Sequence, residues 1–449
     1  MTERSRLFDR IEAARKAARA GHIPSLRERR KILKRLLVLL VSHREAACAV
    51  LNEDLGRSRQ GALAVELLPL IWSIRKLMAY LGGLSSLTPH YLSWLNFPGA
   101  GYSRPEPYGN VLIASSWNFP LLQALELAAG AYASGNHVVL KLPERAPKSA
   151  AFIRWLIEET FVGDEVVSVD KEASMTELLT LGFDYVFAVC DKKQAIEIRQ
   201  KTAEKLTPCD FIIGGKSPVI VDKNAFLQAA ARRIVQGKFF NAGQSRIAPE
   251  IVFLHDRIRE KFKQILEETV RQTYGSTPLE HEETGKIIDQ ASYERLSRLT
   301  GSGRLVCGGE KSPEELKISP TIIDRLHKDD PLLTETICGP VLPLVTFSSE
   351  EDLLCKLKQM PSFPAVYYFG SCSRLKRRLI RECDADHFVF NDAGMQFFNK
   401  RVPAENVFRQ FSRNKEVMTR LSYPLLPWRS LPLTKFWNLI LEYMVKWSI

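Results

Sequence analysis

The sequence predicts an α/β fold of mostly parallel sheets covered by helices, in a chain of two or three domains. Two observations carry this. From Tyr108 onward, short β-branched runs alternate with amphipathic segments across short turns, the pattern of strand–helix–strand units. The 449 residues, 45% hydrophobic and 25% charged, are too many for one core and too apolar for a disordered chain.

The elements follow in order. The first eighty residues read as helices: Leu26 to Val41 and Ala62 to Leu81 repeat apolar residues at three- and four-residue spacing, with Lys and Arg opposite. Pro69 should kink or split the second helix, and Gly82-Gly83 should end it. Pro89, Pro98, Gly99 and Gly101 mark a loop-rich passage. Strands are then expected at 110–115, 137–142, 166–170 and 185–190, with helices at 121–134, 148–161, 172–181 and 192–203 between and after them. A second passage from Phe211 offers strands at 211–213, 219–221 and 251–255 and helices at 226–240 and 256–274, then mixed segments to Asp392. From Arg401 the chain is basic and rich in aromatics, and Pro424, Pro427 and Pro432 precede a last helical stretch. No internal repeat or low-complexity tract appears.

Composition excludes several classes. The longest aliphatic run, Leu36–Val41, falls far short of the ~20 apolar residues of a membrane span. The N-terminus has no apolar signal-peptide core, and its Glu3, Asp9, Glu12 and Glu28 do not suit a transit peptide. The eight cysteines are scattered, with no CxxC and no metal-ligand spacing, so a cytoplasmic, reducing location is expected. Residues 1–35 hold twelve Lys/Arg against four Asp/Glu, and residues 374–446 hold fourteen against seven. Such basic ends meet an anionic membrane, nucleic acid, or simply water; no motif specific for nucleic acid accompanies them.

The stretch Leu433–Ile449 places Lys435, Asn438, Glu442 and Lys446 on one narrow side of a helix and apolar residues elsewhere. At about 26 Å it is too short and too charged to span a bilayer. Peripheral membrane contact and docking on protein are both open.

Six segments carry a resemblance. They are Glu106–Val111, Trp117-Asn118-Phe119-Pro120, Val138–Lys141, Gly214-Gly215-Lys216-Ser217-Pro218, Gly243-Gln244 and Gly339–Pro343. In order and spacing the chain resembles the aldehyde dehydrogenase family, class 3 branch, over roughly residues 10–430. The resemblance implies a dinucleotide-binding-like domain with the N-terminal helices at 1–208, a catalytic-like domain at 209–392, and an oligomerisation arm with a basic tail at 393–449. It also implies NAD or NADP as cofactor, a homodimer, and oxidation of an aldehyde to a carboxylic acid.

That chemistry needs a thiolate nucleophile, an oxyanion donor, a general base and a bound hydride acceptor. The oxyanion role falls on Asn118, which is present. The nucleophile position of Gly-Gln-x-Cys is Arg246, whose guanidinium stays protonated and cannot attack a carbonyl. The general-base position is Ile212, which cannot accept a proton. The pyrophosphate turn reads Cys190-Asp191-Lys192, where Asp191 should cap the helix and repel phosphate, partly offset by Lys192 and Lys193. Thr336 replaces the glutamate that holds the nicotinamide ribose, whereas Lys141 and Glu144 match the pair at the adenosine ribose. The glycine-rich segment after Asn391-Asp392 is shortened. These residues point to a pseudoenzyme that binds or scaffolds. The alternative is a residual oxidoreductase, or an esterase using Ser245 or Cys209. Arg246 either takes an anionic ligand such as a fatty acid or is paired internally, for example by Glu335.

Overall fold

A computed structural model describes residues 3–92, 99–161, 163–394, 403–420 and 435–447. The chain opens with helices α1 (Glu3–Arg19), α2 (Leu26–Ser42), α3 (Arg44–Leu55) and α4 (Arg59–Ala62), then a π-helical turn at Leu63–Leu67 and α5 (Leu68–Leu84). A capping box starts α2: the Ser25 hydroxyl accepts from the Glu28 N–H while the Glu28 carboxylate accepts from the Ser25 N–H. Its residues Leu33, Leu36 and Leu40 are buried, as the spacing requires. Pro69 does not break the helix: the backbone stays helical through Ala62, Leu63, Leu67 and Leu68, and the π-helical turn just before Pro69 accommodates its missing N–H. Gly82 and Gly83 do not end α5; neither takes the left-handed conformation a terminating glycine supplies, and the helix runs on to Leu84.

Strands β1 (Thr88–His90) and β2 (Gly99–Pro107) pair antiparallel and stand outside the main sheets. Next come β3 (Asn110–Ala114), α6 (Pro120–Ser134), β4 (His137–Lys141), α7 (Pro147–Thr160), β5 (Val166–Val169), α8 (Met175–Leu181), β6 (Tyr185–Cys190), α9 (Lys192–Ala203) and β7 (Cys209–Ile213). They form a five-stranded parallel sheet in the order β5-β4-β3-β6-β7. Helices cover both faces, so β4 and β5 are buried at every residue and read as continuous apolar runs. The edge strand β7 is only partly buried and carries Asp210, which is why its first residues do not read as strand.

β7 also corrects the division at residue 209. Cys209–Ile213 pairs with β6, so the first sheet ends at 213, and the strand assigned to the second unit belongs to the first. Chain direction changes sides between β3 and β6, creating the switch-point crevice at the carboxyl ends of these strands where α/β sheets take ligands.

The second sheet uses β8 (Ser217–Val221), α10 (Leu227–Phe239), β9 (Pro249–His255), α11 (Arg259–Tyr274), α12 (Gln290–Leu299), β10 (Arg304–Cys307), the hairpin β11 (Lys311–Ser312) and β12 (Lys317–Ile318), β13 (Thr321–Asp324), α13 (Pro331–Thr334), β14 (Val341–Phe347), α14 (Glu350–Lys358), β15 (Val366–Phe369), α15 (Ser373–Glu382) and β16 (Phe388–Phe390). The order is β10-β13-β14-β9-β8-β15-β16, parallel throughout except for the edge strand β10. Finally α16 (Pro403–Gln410) leads into β17 (Ser412–Arg420), which returns to β2 in a nine-residue antiparallel ladder from Ser412–Pro107 to Arg420–Gly99, and α17 (Lys435–Trp447) follows. The last strand is thus paired within its own chain along one edge. Among the described residues, no helix is long and apolar enough to cross a membrane.

Candidate functional site

Asn118 lies in the loop between β3 and α6, at the mouth of the switch-point crevice. Its carboxamide is buried, with Nδ2 donating to the Gln244 carbonyl at 3.2 Å and Oδ1 accepting from Gln123 Nε2 at 3.4 Å. Its own carbonyl accepts from Arg57 Nη2 at 2.9 Å and Asn241 Nδ2 at 3.1 Å. Behind the loop, the Arg57 guanidinium pairs with the Glu66 carboxylate, both wholly inside the protein. Glu66 also accepts from the N–H groups of Leu121 at 2.8 Å and Leu122 at 3.0 Å, so it caps the first turn of α6. Burial pushes the Glu66 carboxyl up and the Arg57 guanidinium down, and each ion's field on the other opposes that shift. The guanidinium stays charged. The π-helical turn is what places Glu66 here, and no motif in the sequence pointed to it.

The turn that carries Arg246 packs against Asn118. Asn241, Ala242 and Gly243 follow one another in left-handed conformation. At Gly243 a Cβ would lie 2.2 Å from the Gly339 carbonyl oxygen, so only glycine fits this close approach. Gln244 is buried and knits three segments: Nε2 donates to the Lys286 carbonyl at 2.9 Å, and Oε1 accepts from the Ile288 N–H at 3.0 Å. Ser245 is also buried, and its Oγ accepts from the Ile247 N–H at 3.4 Å. Arg246 points elsewhere, with Nη1 3.3 Å from Asp386 Oδ2, and the Asp386 side chain is 66% exposed. Its partner is therefore Asp386 and not Glu335, whose carbonyl accepts from Lys216 Nζ at 2.7 Å.

Ile212 is half-buried near the end of β7 and packs on the first core. Cys209 opens the same strand, and its Sγ accepts from Thr202 Oγ1 at 3.3 Å. Three residues of strand put them about 10 Å apart. Cys209 thus lies toward the amino ends of the strands, away from the crevice, and is not brought to Asn118.

Below the Arg246 turn is a buried network that the sequence did not disclose. Lys238 Nζ lies 3.3 Å from Glu250 Oε1, both almost fully buried. Glu250 accepts from the N–H groups of Ile337 at 2.5 Å and Cys338 at 3.1 Å, fixing the segment with Thr336. Burial pushes the Lys216 ammonium down to about 8 and the Cys338 thiol up to about 11. A thiol held that high is a poor nucleophile at neutral pH. On the open side, Arg145 lies over the Trp117 ring at 4.5 Å and pairs with Asp289 at 2.6 Å, covering the residue beside Asn118.

At the neighbouring turn, Asp191 caps α9 as its residue type predicts. Its carboxylate accepts from the Gln194 N–H at 2.8 Å, and the Gln194 side chain accepts from the Asp191 N–H at 3.4 Å. Only the amides of Lys192 and Lys193 remain in that first turn, behind a carboxylate. Lys141 and Glu144 do come together, Nζ to Oε1 at 2.5 Å, and Lys141 also donates to the Asp170 carbonyl. Among the described residues, no group of His, Cys, Asp and Glu could hold a metal ion.

A two-sheet α/β protein with its crevice lined by Asn118, a Gly-Gln turn and a glycine-dependent contact to Gly339 is an aldehyde dehydrogenase-type fold. The model of the aldehyde dehydrogenase family matches residues 3–396. A 4,4'-diaponeurosporen-aldehyde dehydrogenase from Staphylococcus aureus is 33% identical, covering 84% of this chain and 82% of its own length. The family 3 member H1 of Arabidopsis thaliana is 30% identical, covering 86% of this chain and 84% of its own length. A solved substrate-bound state of Staphylococcus aureus AldH superposes with a TM-score of 0.92 at 27% identity, over 99% of this chain and 100% of that one. The chain belongs to the aldehyde dehydrogenase family, and the class 3 likeness read from the motifs holds.

Proposed function

We propose that this chain is a binding or scaffolding member of the family that does not oxidise aldehydes. The observation that carries the reading is Arg246. The position that the motif assigns to the attacking thiolate holds a guanidinium, which has no lone pair to offer a carbonyl carbon at any accessible pH. Ile212 supplies no base. The residues at the cofactor turn do not fit a dinucleotide pyrophosphate: a carboxylate takes the helix amide and glycine is missing. Binding of the family's NAD(P) is therefore expected to be weak. Asn118, whose Nδ2 donates to the Gln244 carbonyl, and Arg246, turned to the exposed Asp386, are the polar groups left at these positions; holding a carboxylate between them requires Arg246 to leave Asp386.

The test mixes purified protein with NAD or NADP and aldehydes of several lengths, and follows absorbance of the reduced cofactor. No growth above the buffer blank is expected. Aldehyde-dependent growth that heat treatment abolishes would sink the reading. An esterase is the second possibility, but among the described residues no His or carboxylate hydrogen-bonds to the Ser245 hydroxyl to activate it. Turnover of an acyl ester that disappears in Ser245→Ala would favour that alternative. A homodimer is part of the proposal, to be measured by sedimentation velocity.

A further inference from the structure

On the side of the crevice open to solvent, Arg145 ties the two sheet units together. It follows β4 on a loop fixed by Pro143, Pro147 and the ion pair between Lys141 and Glu144, so its backbone is held and its side chain is the part that can swing. Nε donates to Asp289 Oδ2 at 2.6 Å and Nη2 to Ser292 Oγ at 2.6 Å, both at the N-terminus of α12. The guanidinium lies 4.5 Å from the centroid of the Trp117 ring, in the loop that carries Asn118. Its charge also acts on the Cys338 thiol, next to the Gly339 that meets Gly243. One side chain thus bridges the Trp117 loop and α12, with the segment at Cys338 inside its field.

We propose that Arg145 is a releasable strap over the mouth of the crevice, and that entry toward Asn118 requires Arg145 and Asp289 to part. Three features make it releasable. Both side chains are partly open to water, 41% for Arg145 and 37% for Asp289, so the pair is screened and weak, unlike the sealed pair of Arg57 and Glu66. Asp289 divides its oxygens: Oδ1 accepts from the Ser292 N–H at 2.8 Å and caps α12, whereas Oδ2 serves Arg145. Opening therefore leaves the helix capped. Arg295, a turn beyond Ser292, donates to the Ile337 carbonyl at 2.6 Å, so α12 stays seated when Arg145 swings away. The stack on Trp117 adds to the exposed ion pair, and together they favour a closed state that thermal motion still opens. This goes beyond the proposed function, because it concerns entry to the crevice and not what the crevice holds.

The experiment labels the full chain with iodoacetamide, a neutral reagent, and follows the half-buried Cys338 by peptide mass spectrometry, with the exposed Cys355 as internal reference. Arg145→Ala should speed Cys338 labelling about five- to tenfold and leave Cys355 unchanged. Removing that positive charge favours the thiol over the thiolate, so a faster rate reports opening and not a more reactive sulfur. Asp289→Asn, which keeps a good capping residue, should speed it about threefold. Raising NaCl from about 0.05 to 0.5 M should speed the native protein about twofold and leave Arg145→Ala unchanged. The double variant should match Arg145→Ala, since both changes release one strap. Equal Cys338 rates in the native and Arg145→Ala proteins overturn the proposal. So does an equal salt response in both, or a double variant that adds the two single effects. A parallel rise at Cys355 also overturns it, because the chain would then be loosening as a whole.

Discussion

Glu66→Gln should be among the most damaging single-atom changes available in this protein. Glu66 is fully buried and uses both oxygens, one on Arg57 and the other on the N–H groups of Leu121 and Leu122. A glutamine has one acceptor oxygen. Whichever way it turns, its NH2 group faces a donor, either the guanidinium or the first turn of α6. The change also leaves the Arg57 charge inside the protein without its directly paired carboxylate, facing the Asn118 carbonyl and the Phe119 ring, whose centroid is 5.0 Å away, with Glu283 acting on it only through its field. Breaking a buried pair in this way costs about 3–5 kcal/mol. At about 2–4 °C per kcal/mol for a unit of ~200 residues, the midpoint should fall by about 6–20 °C. The double variant Arg57→Met with Glu66→Leu removes both charges and orphans only two amides, so it should recover at least ~1 kcal/mol of that loss. Thermal unfolding followed by tryptophan fluorescence reads both. A fall below ~2 °C in Glu66→Gln, or a double variant as unstable as the single, would refute the reasoning.

Further outcomes are expected at the crevice. With Asp191 at the pyrophosphate turn and Thr336 at the ribose position, two charge-assisted contacts of ~1.5–3 kcal/mol each are missing, so calorimetry should find NAD(P) affinity in the millimolar range or weaker; micromolar binding contradicts this. Lys216, 2% exposed, has its folded pKa depressed from 10.5 to about 8 by burial, so its stabilising contribution is full above 10.5 and lost as pH falls through 8. Stability should rise by up to ~3 kcal/mol between those limits, and Lys216→Met should flatten that rise; an unchanged slope counts against it. Arg246→Ala should alter stability by less than ~1 kcal/mol, because its Asp386 partner is exposed. It should also abolish any thermal shift from long-chain carboxylates; equal shifts in both proteins would remove the anionic-ligand reading.

The alternating elements of the first sheet were legible because buried parallel strands and one-sided helices leave opposite periodicities. Tyr185–Cys190 and Lys192–Ala203 were bounded correctly from pattern alone. Cys209–Ile213 was misassigned because an edge strand half open to solvent has no continuous apolar run. The end of α5 was misplaced for a related reason: a pair of glycines signals a stop only if one of them turns left-handed, and that depends on tertiary surroundings. Asn118 and Arg246 were singled out through short motifs; Asn118 lies at the mouth of the crevice, whereas Arg246 turns away to Asp386. Glu66, Lys238 and Glu250 were not. A charged residue in a helical or strand pattern reads as solvated, and only the folded chain shows that Arg57 or Lys238 meets it inside.

The contrast between what the crevice keeps and what it lacks has a physical logic. Gly243, Gln244, Asn118 and Glu66 each hold backbone from another segment, and altering any of them opens a clash or orphans buried polar groups. Arg246 and Ile212 hold no such backbone. One reaches an exposed aspartate and the other is half-buried on an edge strand. Thr336 is exposed, and Asp191 stabilises its own helix, as a capping residue does, by ~1 kcal/mol. Substitution at these four places leaves the frame standing. These four places can therefore vary without loss of the fold, whereas removing Glu66 from its pair with Arg57 would cost several kcal/mol. Under the proposed binding role, Glu66 and Gln244 hold the crevice that a carboxylate would enter: the Glu66→Gln protein should then lose any carboxylate affinity the native protein shows, at temperatures where the rest of the chain remains folded, and undiminished affinity would count against that role.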